Sequence, residues 1–238
     1  MLLYSGTGSG AGGEYTALAA VWLRPETLDS LLELNELGLG LLAEQAAARG
    51  ATAGALLREV ARLWAALDAN ARRRAAACPY LLLDAGFADP RRWRASPTPE
   101  VGDADGGYGS FFTVPAAAEV ARLVFTYAWH LARSQSAAAR LLLGMPEASA
   151  ALIGQYPLPH IQSLAERRLE WLRPRWPARV QVWRQLLLAA ASGDAAALER
   201  ARLRGLTLLA AEARAMSPRA VRTPPAARSG GPDPTPGA

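Results

Sequence analysis

The chain has 238 residues, of which 51% are hydrophobic and 20% are charged, and its formal net charge is +5 at pH 7. These proportions are typical of a globular chain that can bury a core, and they exclude a wholly disordered protein. The single cysteine, Cys78, excludes an intramolecular disulfide and a cysteine-rich zinc site. No apolar run reaches the roughly 20 residues of a membrane span, and the N-terminus lacks a charged leader, so we expect a cytoplasmic protein without a membrane partner.

The basic residues are all arginines, and most of them lie in the second half of the chain. Residues 1–119 contain 10 arginines and 14 acidic residues, whereas residues 120–238 contain 16 arginines and 7 acidic residues. A basic half is compatible with an anionic partner, nucleic acid above all. The alternative is a solvated helix surface followed by a basic tail.

Helical patterns dominate the first half of the chain. After a glycine-rich segment, residues 1–15, which we expect to be flexible, a helix is predicted from Pro25 to a stop at Gly50. A second helix is predicted over residues 53–77. The run Tyr80–Leu83 after Pro79 predicts a short extended segment, and "DPRRWR" predicts a brief helical turn. We therefore assign residues 16–94 to one helical unit.

Proline, glycine and aspartate cluster in residues 95–112, which we interpret as a linker between two units. Thr113 is the predicted cap of the next long helix, with Pro115 in its first turn. Shorter helices are predicted to follow, the first ending at Gly144 and the next two starting at Pro146 and Pro159. The second unit spans residues 113–216, and the Pro- and Gly-rich residues 217–238 are predicted to be a disordered tail.

Near the end of the second unit, prolines interrupt the helical pattern. Pro174 and Pro177 interrupt helical structure in "LEWLRPRW", which predicts a short extended segment. Helical spacing returns until Gly193, and Asp194 is the predicted N-cap of a last helix that ends near Met216. Together these patterns predict a mainly α fold, a multi-helix bundle with short extended segments.

The two units also resemble each other. A gap-free shift of 89 positions aligns residues 31–94 with residues 120–183, pairing Leu34 with Leu123 and Leu83 with Leu172. It also pairs Phe87 with an aromatic residue, Trp176. An internal duplication is one interpretation. The other is chance, since a chain so rich in Ala and Leu produces several such matches.

No catalytic or cofactor-binding arrangement stands out. The glycines at positions 8, 10 and 13 match the dinucleotide-binding spacing, but no strand–helix series surrounds them, so a flexible segment is the better interpretation. We expect Cys78 to be a buried, inert cysteine. Asp84 and Asp89 flank a predicted turn, where aspartate satisfies backbone groups. We therefore predict a protein that is not an enzyme, with no metal, cofactor or small-molecule substrate.

The stretch Leu158–Trp176, "LPHIQSLAERRLEWLRPRW", combines arginine with tryptophan. Arginine can bind phosphate with two parallel hydrogen bonds, and tryptophan can stack on bases. The alternative is that Trp171, Trp176 and Trp183 anchor a core while the arginines face water. The candidate nucleic-acid contacts in and just after this stretch are Arg167, Arg168, Arg173, Arg175 and Arg179.

Residues from about 125 to 212 resemble FlhD, the flagellar transcriptional regulator family. The resemblance runs through "TYAWHLARSQSAAARLLLGM", "LPHIQSLAE" and "LRPRW", and it ends in the helix opened by Gly193 and Asp194. A second, weaker resemblance lies in "LNELGLGLLAEQ", residues 34–45, and it would place a divergent copy of the unit at residues 31–94.

The resemblance implies a helical, non-enzymatic subunit of transcription regulation. It implies a protein partner, either an FlhC-like subunit or a second copy of the chain, with DNA contacted directly or through that partner. If both units are FlhD-like, one chain would hold a pseudo-dimer. The alternative function is a helical interaction module, such as a secretion-system accessory protein or chaperone that does not bind DNA.

Overall fold

The computed structural model describes residues 23–50, 53–94 and 110–216, and these residues form ten α-helices and one two-stranded sheet. The predicted mainly α fold with short extended segments is confirmed. Several predictions concern residues outside the described ranges: the flexible N-terminus, the glycines at positions 8 to 13, most of the linker and the tail.

The described part of the first half contains four helices and one strand. These are α1 (Pro25–Arg49), α2 (Ala55–Trp64), α3 (Ala69–Ala76), β1 (Leu83–Asp84) and α4 (Pro90–Arg94). The predicted ends of α1 are confirmed, and Gly50 adopts the positive φ of 49° that favours glycine after a helix. The single helix predicted over residues 53–77 is wrong. It divides at residues 65–68 because Asp68 caps a new helix by accepting a hydrogen bond from the Ala71 amide at 2.6 Å.

The second half contains six helices and one strand. These are α5 (Ala116–Ser134), α6 (Ser136–Leu143), α7 (Glu147–Gln155), α8 (Leu158–Arg167), a 3₁₀ turn (Leu169–Trp171), β2 (Arg173–Pro174), α9 (Val180–Ser192) and α10 (Ala195–Met216). The predicted stops at Gly144 and Gly193 are confirmed, with φ of 67° and 70°. Asp194 caps α10 as predicted, since its carboxylate accepts hydrogen bonds from Ala196 and Ala197.

Thr113 does not cap α5, which corrects the prediction. The helix starts three residues later, and no side chain caps it. Thr113 instead binds Gln45 on α1: its amide donates to Gln45 Oε1 at 2.7 Å, and Gln45 Nε2 donates to its hydroxyl at 3.0 Å. Phe112 is only 1% exposed, so the last residue of the predicted linker belongs to the core.

The same succession of elements occurs in both halves. A long helix is followed by short helices, a two-residue strand and another helix, and around the strands the offset is 90 residues: Leu83 and Arg173 begin the strands, and Pro90 and Val180 begin the next helices. The sequence alignment, which uses a shift of 89 residues, therefore differs from the structural offset by one residue in this region. The structure matches Leu82, rather than Leu83, with Leu172.

Backbone conformation recurs at this offset, and an indole hydrogen bond recurs with its donor at this offset and its acceptor one residue short of it. Gly86 and Trp176 both have positive φ, 72° and 51°. Trp93 donates its indole N–H to the Gly86 carbonyl at 3.2 Å, and Trp183 donates its own to the Arg175 carbonyl at 2.8 Å. These paired features favour the duplication over chance matching.

The two halves exchange helices. The long helix of each half packs on short helices of its own half, α1 on α2 and α3, and α5 on α7 and α8. The helix after each strand packs across: α9 contacts α2 and α3, and the short α4 contacts α7. The buried apolar residues consequently form one core cluster that draws on both halves.

The strands meet where the halves join. β1 and β2 pair antiparallel, with Leu83 opposite Pro174 and Asp84 opposite Arg173. The Arg175 amide extends this contact by donating to the Leu82 carbonyl at 2.8 Å. The pair sets the end of the "LRPRW" segment against "YLLLD", and it fixes which arginines can face solvent.

Candidate nucleic-acid interface

An aromatic cluster joins α4 to the end of α8. The ring centroids of Trp93 and Trp171 lie 5.5 Å apart in an edge-on arrangement, and Phe125 of α5 lies 5.3 Å from Trp93. Trp93 is 1% exposed and Trp171 is 7% exposed, so the indoles belong to the core. Their packing brings Arg92, the residue before Trp93, to the Trp171 ring.

Arginines from both halves meet over Trp171. The guanidinium carbon of Arg92 lies 5.6 Å from the centroid of the Trp171 ring, and that of Arg168 lies 5.7 Å from it. Cation–π contact of this kind holds a guanidinium in place while its outer N–H groups remain able to donate. We define the arginine surface as Arg92 and Arg168, which meet at the Trp171 ring, together with the arginines nearest to them in the chain. Its six members are Arg91, Arg92, Arg94, Arg167, Arg168 and Arg173.

Tyr156, which lies between α7 and α8, connects these helices to α4. Its hydroxyl donates to the backbone carbonyl of Trp93 at 2.6 Å, and its ring lies 4.4 Å from the imidazole of His160. Burial raises the pKa of Tyr156, and the nearby positive charge of Arg94 opposes that shift. The phenol therefore stays protonated at neutral pH as a hydrogen-bond donor that positions α4.

The interpretation of Arg175 as an anion contact does not hold. Its side chain is 4% exposed, and the guanidinium donates to the carbonyls of Leu81 at 2.9 Å and Leu143 at 3.0 Å. It also faces the carboxylates of Asp84 at 4.0 Å and Glu212 at 3.8 Å. With its donors directed inward, Arg175 joins β1, the end of α6 and α10, and it cannot reach a phosphate.

The other four predicted contacts reach solvent to different degrees. Arg167 is exposed and donates to Ser163, and Arg168 is 17% exposed beside Glu170 at 3.7 Å. Arg173 is 41% exposed and lies 3.6 Å from Asp84. Arg179 is exposed just before α9, which begins beyond the Pro177 turn. Of the five predicted residues, Arg168 meets an arginine of the first half at the Trp171 ring, and Arg167 and Arg173 lie within five residues of it in the chain.

Acidic residues moderate the charge of the arginine surface. Three acidic residues lie within two positions of these arginines in the chain, Asp89, Glu166 and Glu170, and a fourth, Asp84, lies 3.6 Å from Arg173 across the strand pair. Two of these carboxylates also accept backbone hydrogen bonds, Asp84 from Phe87 at 3.3 Å and Asp89 from Arg91 at 2.9 Å, so their predicted role at a turn is confirmed. The remaining positive charge is sufficient for contact with a few phosphates, rather than with a long stretch of nucleic-acid backbone.

Sequence reasoning missed Arg91, Arg92 and Arg94. They lie in the half of the chain whose net charge is negative, and nothing local indicates that α4 packs on α7 of the other half. The signal that could have found them is the repeat itself at its correct offset. At 90 residues, Trp93 matches Trp183; both indoles are buried, and the residues that follow them, Arg94 and Arg184, are both exposed.

The tryptophans of the stretch anchor the core. Trp171 and Trp176 are each 7% exposed and Trp183 is 1% exposed, so none offers a free face for stacking on a base. The burial of Cys78 is also confirmed. Within residues 23–50, 53–94 and 110–216, no group of three or more His, Cys, Asp and Glu side chains could hold a metal ion.

The described helices were also tested for length and hydropathy, and none of them could cross a membrane. No protein-family model matches the chain, and searches of curated proteins and of solved structures found no similar protein.

Proposed function

We propose that this protein is a non-enzymatic bacterial regulatory or adaptor protein, similar in kind to FlhD, that acts through protein–protein contacts in transcription regulation and touches DNA with the arginine surface. The observation that carries the proposal is the convergence of arginines from both halves around Trp171. The resemblance of residues 125–212 to FlhD supports the regulatory role.

The contact would be mainly to phosphate. The tryptophans are buried, so the exposed donors are guanidinium groups, which position a protein on a duplex without reading its sequence. We therefore expect weak, sequence-tolerant binding by this chain alone. A promoter would be selected by a partner protein.

The test is fluorescence anisotropy with a labelled duplex, started at about 50 mM salt, where phosphate contacts are strongest. The key variant is Arg91→Ala/Arg94→Ala/Arg167→Ala. A matched control removes the same charge from exposed arginines elsewhere: Arg122→Ala/Arg140→Ala/Arg214→Ala.

We expect the key variant to bind at least about tenfold more weakly than the control and to reduce the salt slope by about 2 to 3. Each contacted phosphate contributes about 0.9 to that slope. Equal losses in the two variants would show that the arginine surface is not the DNA contact, and no binding at low salt would remove direct DNA action.

The alternative is a helical interaction module of a secretion system that binds no DNA. Exposed leucines on several helices, among them Leu37, Leu123 and Leu141, favour it because exposed apolar side chains that cluster mark protein contacts. A pull-down from the native host separates the two functions, since one predicts promoter complexes and the other predicts secretion machinery.

A further inference from the structure

The solvent-facing side of α1 is acidic. The helix contains five acidic residues and no basic residue before its last position, Arg49. Among the described residues, none of its four exposed carboxylates has an ion-pair partner. We call this side the acidic face, and its members recur at intervals of three or four residues: Glu26, Asp29, Glu33, Leu37, Gly40 and Glu44.

Exposed apolar side chains lie at the centre of this face and beside it. Leu37 is 45% exposed. The neighbouring helix α5 runs antiparallel to α1, since Tyr127 donates its hydroxyl to the Thr27 carbonyl at 2.9 Å at one end and Gln45 binds Thr113 at the other. Leu123 lies one turn before Tyr127 on the side of α5 that faces α1, and it is 43% exposed. The face therefore combines negative charge with an apolar centre.

A surface of opposite charge lies on α9 and α10. Leu203 is 36% exposed between Arg200 and Arg204, both of which are exposed. Arg204 donates to Gln185 of α9 at 2.9 Å, and Leu188, one turn further along α9, is 44% exposed. We call this surface the basic face, and it comprises Leu188, Arg200, Leu203 and Arg204.

We propose that the acidic face of one copy docks on the basic face of a second copy of this chain. Each face has an exposed leucine among charges of one sign, Leu37 among the carboxylates of α1 and Leu203 between Arg200 and Arg204, and the two signs are opposite. Leucine on leucine would supply apolar burial, and the flanking charges would set the orientation and speed of association. The inference rests on the protein-contact part of the proposed function and names the partner.

The geometry of the contact follows from the use of two different faces. Such an interface is heterologous, so each copy keeps one face free for a further copy, and the assembly grows into a ring or an open chain. Because the flanking charges are exposed, the assembly should dissociate as salt rises above the physiological range.

The experiment is sedimentation velocity of the full chain at low and high salt, with two charge-reversal variants. One is Glu33→Arg/Glu44→Arg on the acidic face, and the other is Arg200→Glu/Arg204→Glu on the basic face. The chain that carries all four substitutions is the matched control, because its net charge equals that of the wild type while both faces are reversed. Circular dichroism confirms that each variant retains its helices.

We expect the wild type to associate at low salt and each two-site variant to associate on the order of 100-fold more weakly, because like charges then oppose each other. Association should return when the two variants are mixed and in the four-site chain. A wild type that stays monomeric at low salt would overturn the proposal, and so would association that persists in both variants. A monomeric wild type whose acidic face binds an arginine-rich peptide would replace the second copy with a basic partner.

Duplex binding measured on the same proteins separates this inference from the proposed function. The acidic-face residues do not belong to the arginine surface, so Glu33→Arg/Glu44→Arg should bind DNA at least as well as the wild type. Lost association with retained DNA binding supports both proposals. DNA binding by a chain that never associates overturns only the copy-to-copy contact.

Discussion

Arg175 shows how one side chain can join three parts of the molecule. Its guanidinium satisfies the carbonyls of Leu81 and Leu143 and faces the carboxylates of Asp84 and Glu212. The Trp176 indole donates to Glu212 at 2.7 Å, which holds the carboxylate in place. Burial raises the pKa of Glu212, and the charge of Arg175 opposes that shift.

We expect Arg175→Ala to lower the free energy of unfolding by about 3 to 5 kcal/mol, because it leaves the buried carbonyls of Leu81 and Leu143 without this donor and removes the positive charge that faces Asp84 and Glu212. Urea denaturation monitored by circular dichroism measures the change. Arg175→Lys should recover only part of the loss, since an ammonium group cannot reproduce the fork of donors.

The control is Arg179→Ala, which removes an exposed arginine four residues further along the chain. A surface change of this kind alters stability by about 0.5 kcal/mol or less. If Arg175→Ala were as stable as Arg179→Ala, Arg175 would not be a structural residue.

Two buried acids make the fold sensitive to alkali. Burial raises the pKa of the Cys78 thiol to about 12, and burial also raises the pKa of Tyr80 above its ordinary value. The unfolded chain releases these protons near pH 9 to 10, about where free thiols and phenols titrate, whereas the folded chain retains them. Their contribution to stability is complete below that pH and is lost as pH rises towards the folded pKa.

We therefore expect the free energy of unfolding to fall steadily above about pH 9, with Cys78→Ala showing a shallower fall. Urea titrations at about pH 7, 9 and 10.5 test this. A wild-type free energy that does not change over this range would contradict the burial of both groups.

At the scale of residues, the sequence predicts which side chains are buried better than it predicts which residues they contact. The sequence predicts a buried Cys78, and it offers the burial of Trp171, Trp176 and Trp183 as one of two alternatives, because the transfer of apolar side chains out of water is favourable. Arg175 could not be distinguished from Arg173, since its partners at Leu81 and Leu143 lie 94 and 32 residues away in the chain.

At the scale of elements, α10 depends on a glycine inside the helix. Gly205 is buried against Tyr80, and a Cβ at this position would overlap the phenol hydroxyl and lie 2.7 Å from the ring carbon Cε1. Tyr80 is only 1% exposed, so its ring has no room to move aside. The close approach of α10 to the segment before β1 therefore requires glycine.

We expect Gly205→Ala to destabilise the protein by about 1 to 3 kcal/mol, because overpacking outweighs the gain in helix propensity. The matched control is Gly40→Ala, also inside a helix, where a Cβ would meet no atom within 4 Å. That change should stabilise the protein by about 0.5 to 1 kcal/mol. Thermal unfolding followed by circular dichroism compares them, and a stabilising Gly205→Ala would contradict the packing of α10 on Tyr80.

Helix ends could be predicted from the sequence where a single residue, such as a proline, a glycine or a capping aspartate, determines the end. Pro25, Gly50, Gly144, Gly193 and Asp194 each act through their own backbone or side chain, so their roles are readable locally. The break between α2 and α3 was missed because residues 65–68 contain neither proline nor glycine. The two extended segments were predicted, but their pairing was not, because strands of two residues are too short to show an alternating pattern.

At the scale of the whole molecule, the sequence divides by composition into units at residues 16–94 and 113–216. The packing of the helices does not respect this division. α9 of the second half covers α2 and α3 of the first, and α4 of the first half contacts α7 of the second. Within residues 23–50, 53–94 and 110–216, β1 pairs only with β2. Each half alone would expose the surface that the other half covers.

We therefore expect neither residues 1–109 nor residues 110–238 to fold cooperatively alone, whereas the two fragments mixed together should recover a cooperative thermal transition. The reason is that the core is one cluster built from both halves, so each fragment lacks the helix that closes it. Circular dichroism melts of each fragment and of their mixture make the comparison. A cooperative transition for residues 1–109 alone would mean that α9 is dispensable to the first half and that the halves are independent domains. Recovery only in the mixture would mean that the exchange of helices holds a pseudo-dimer together within one chain.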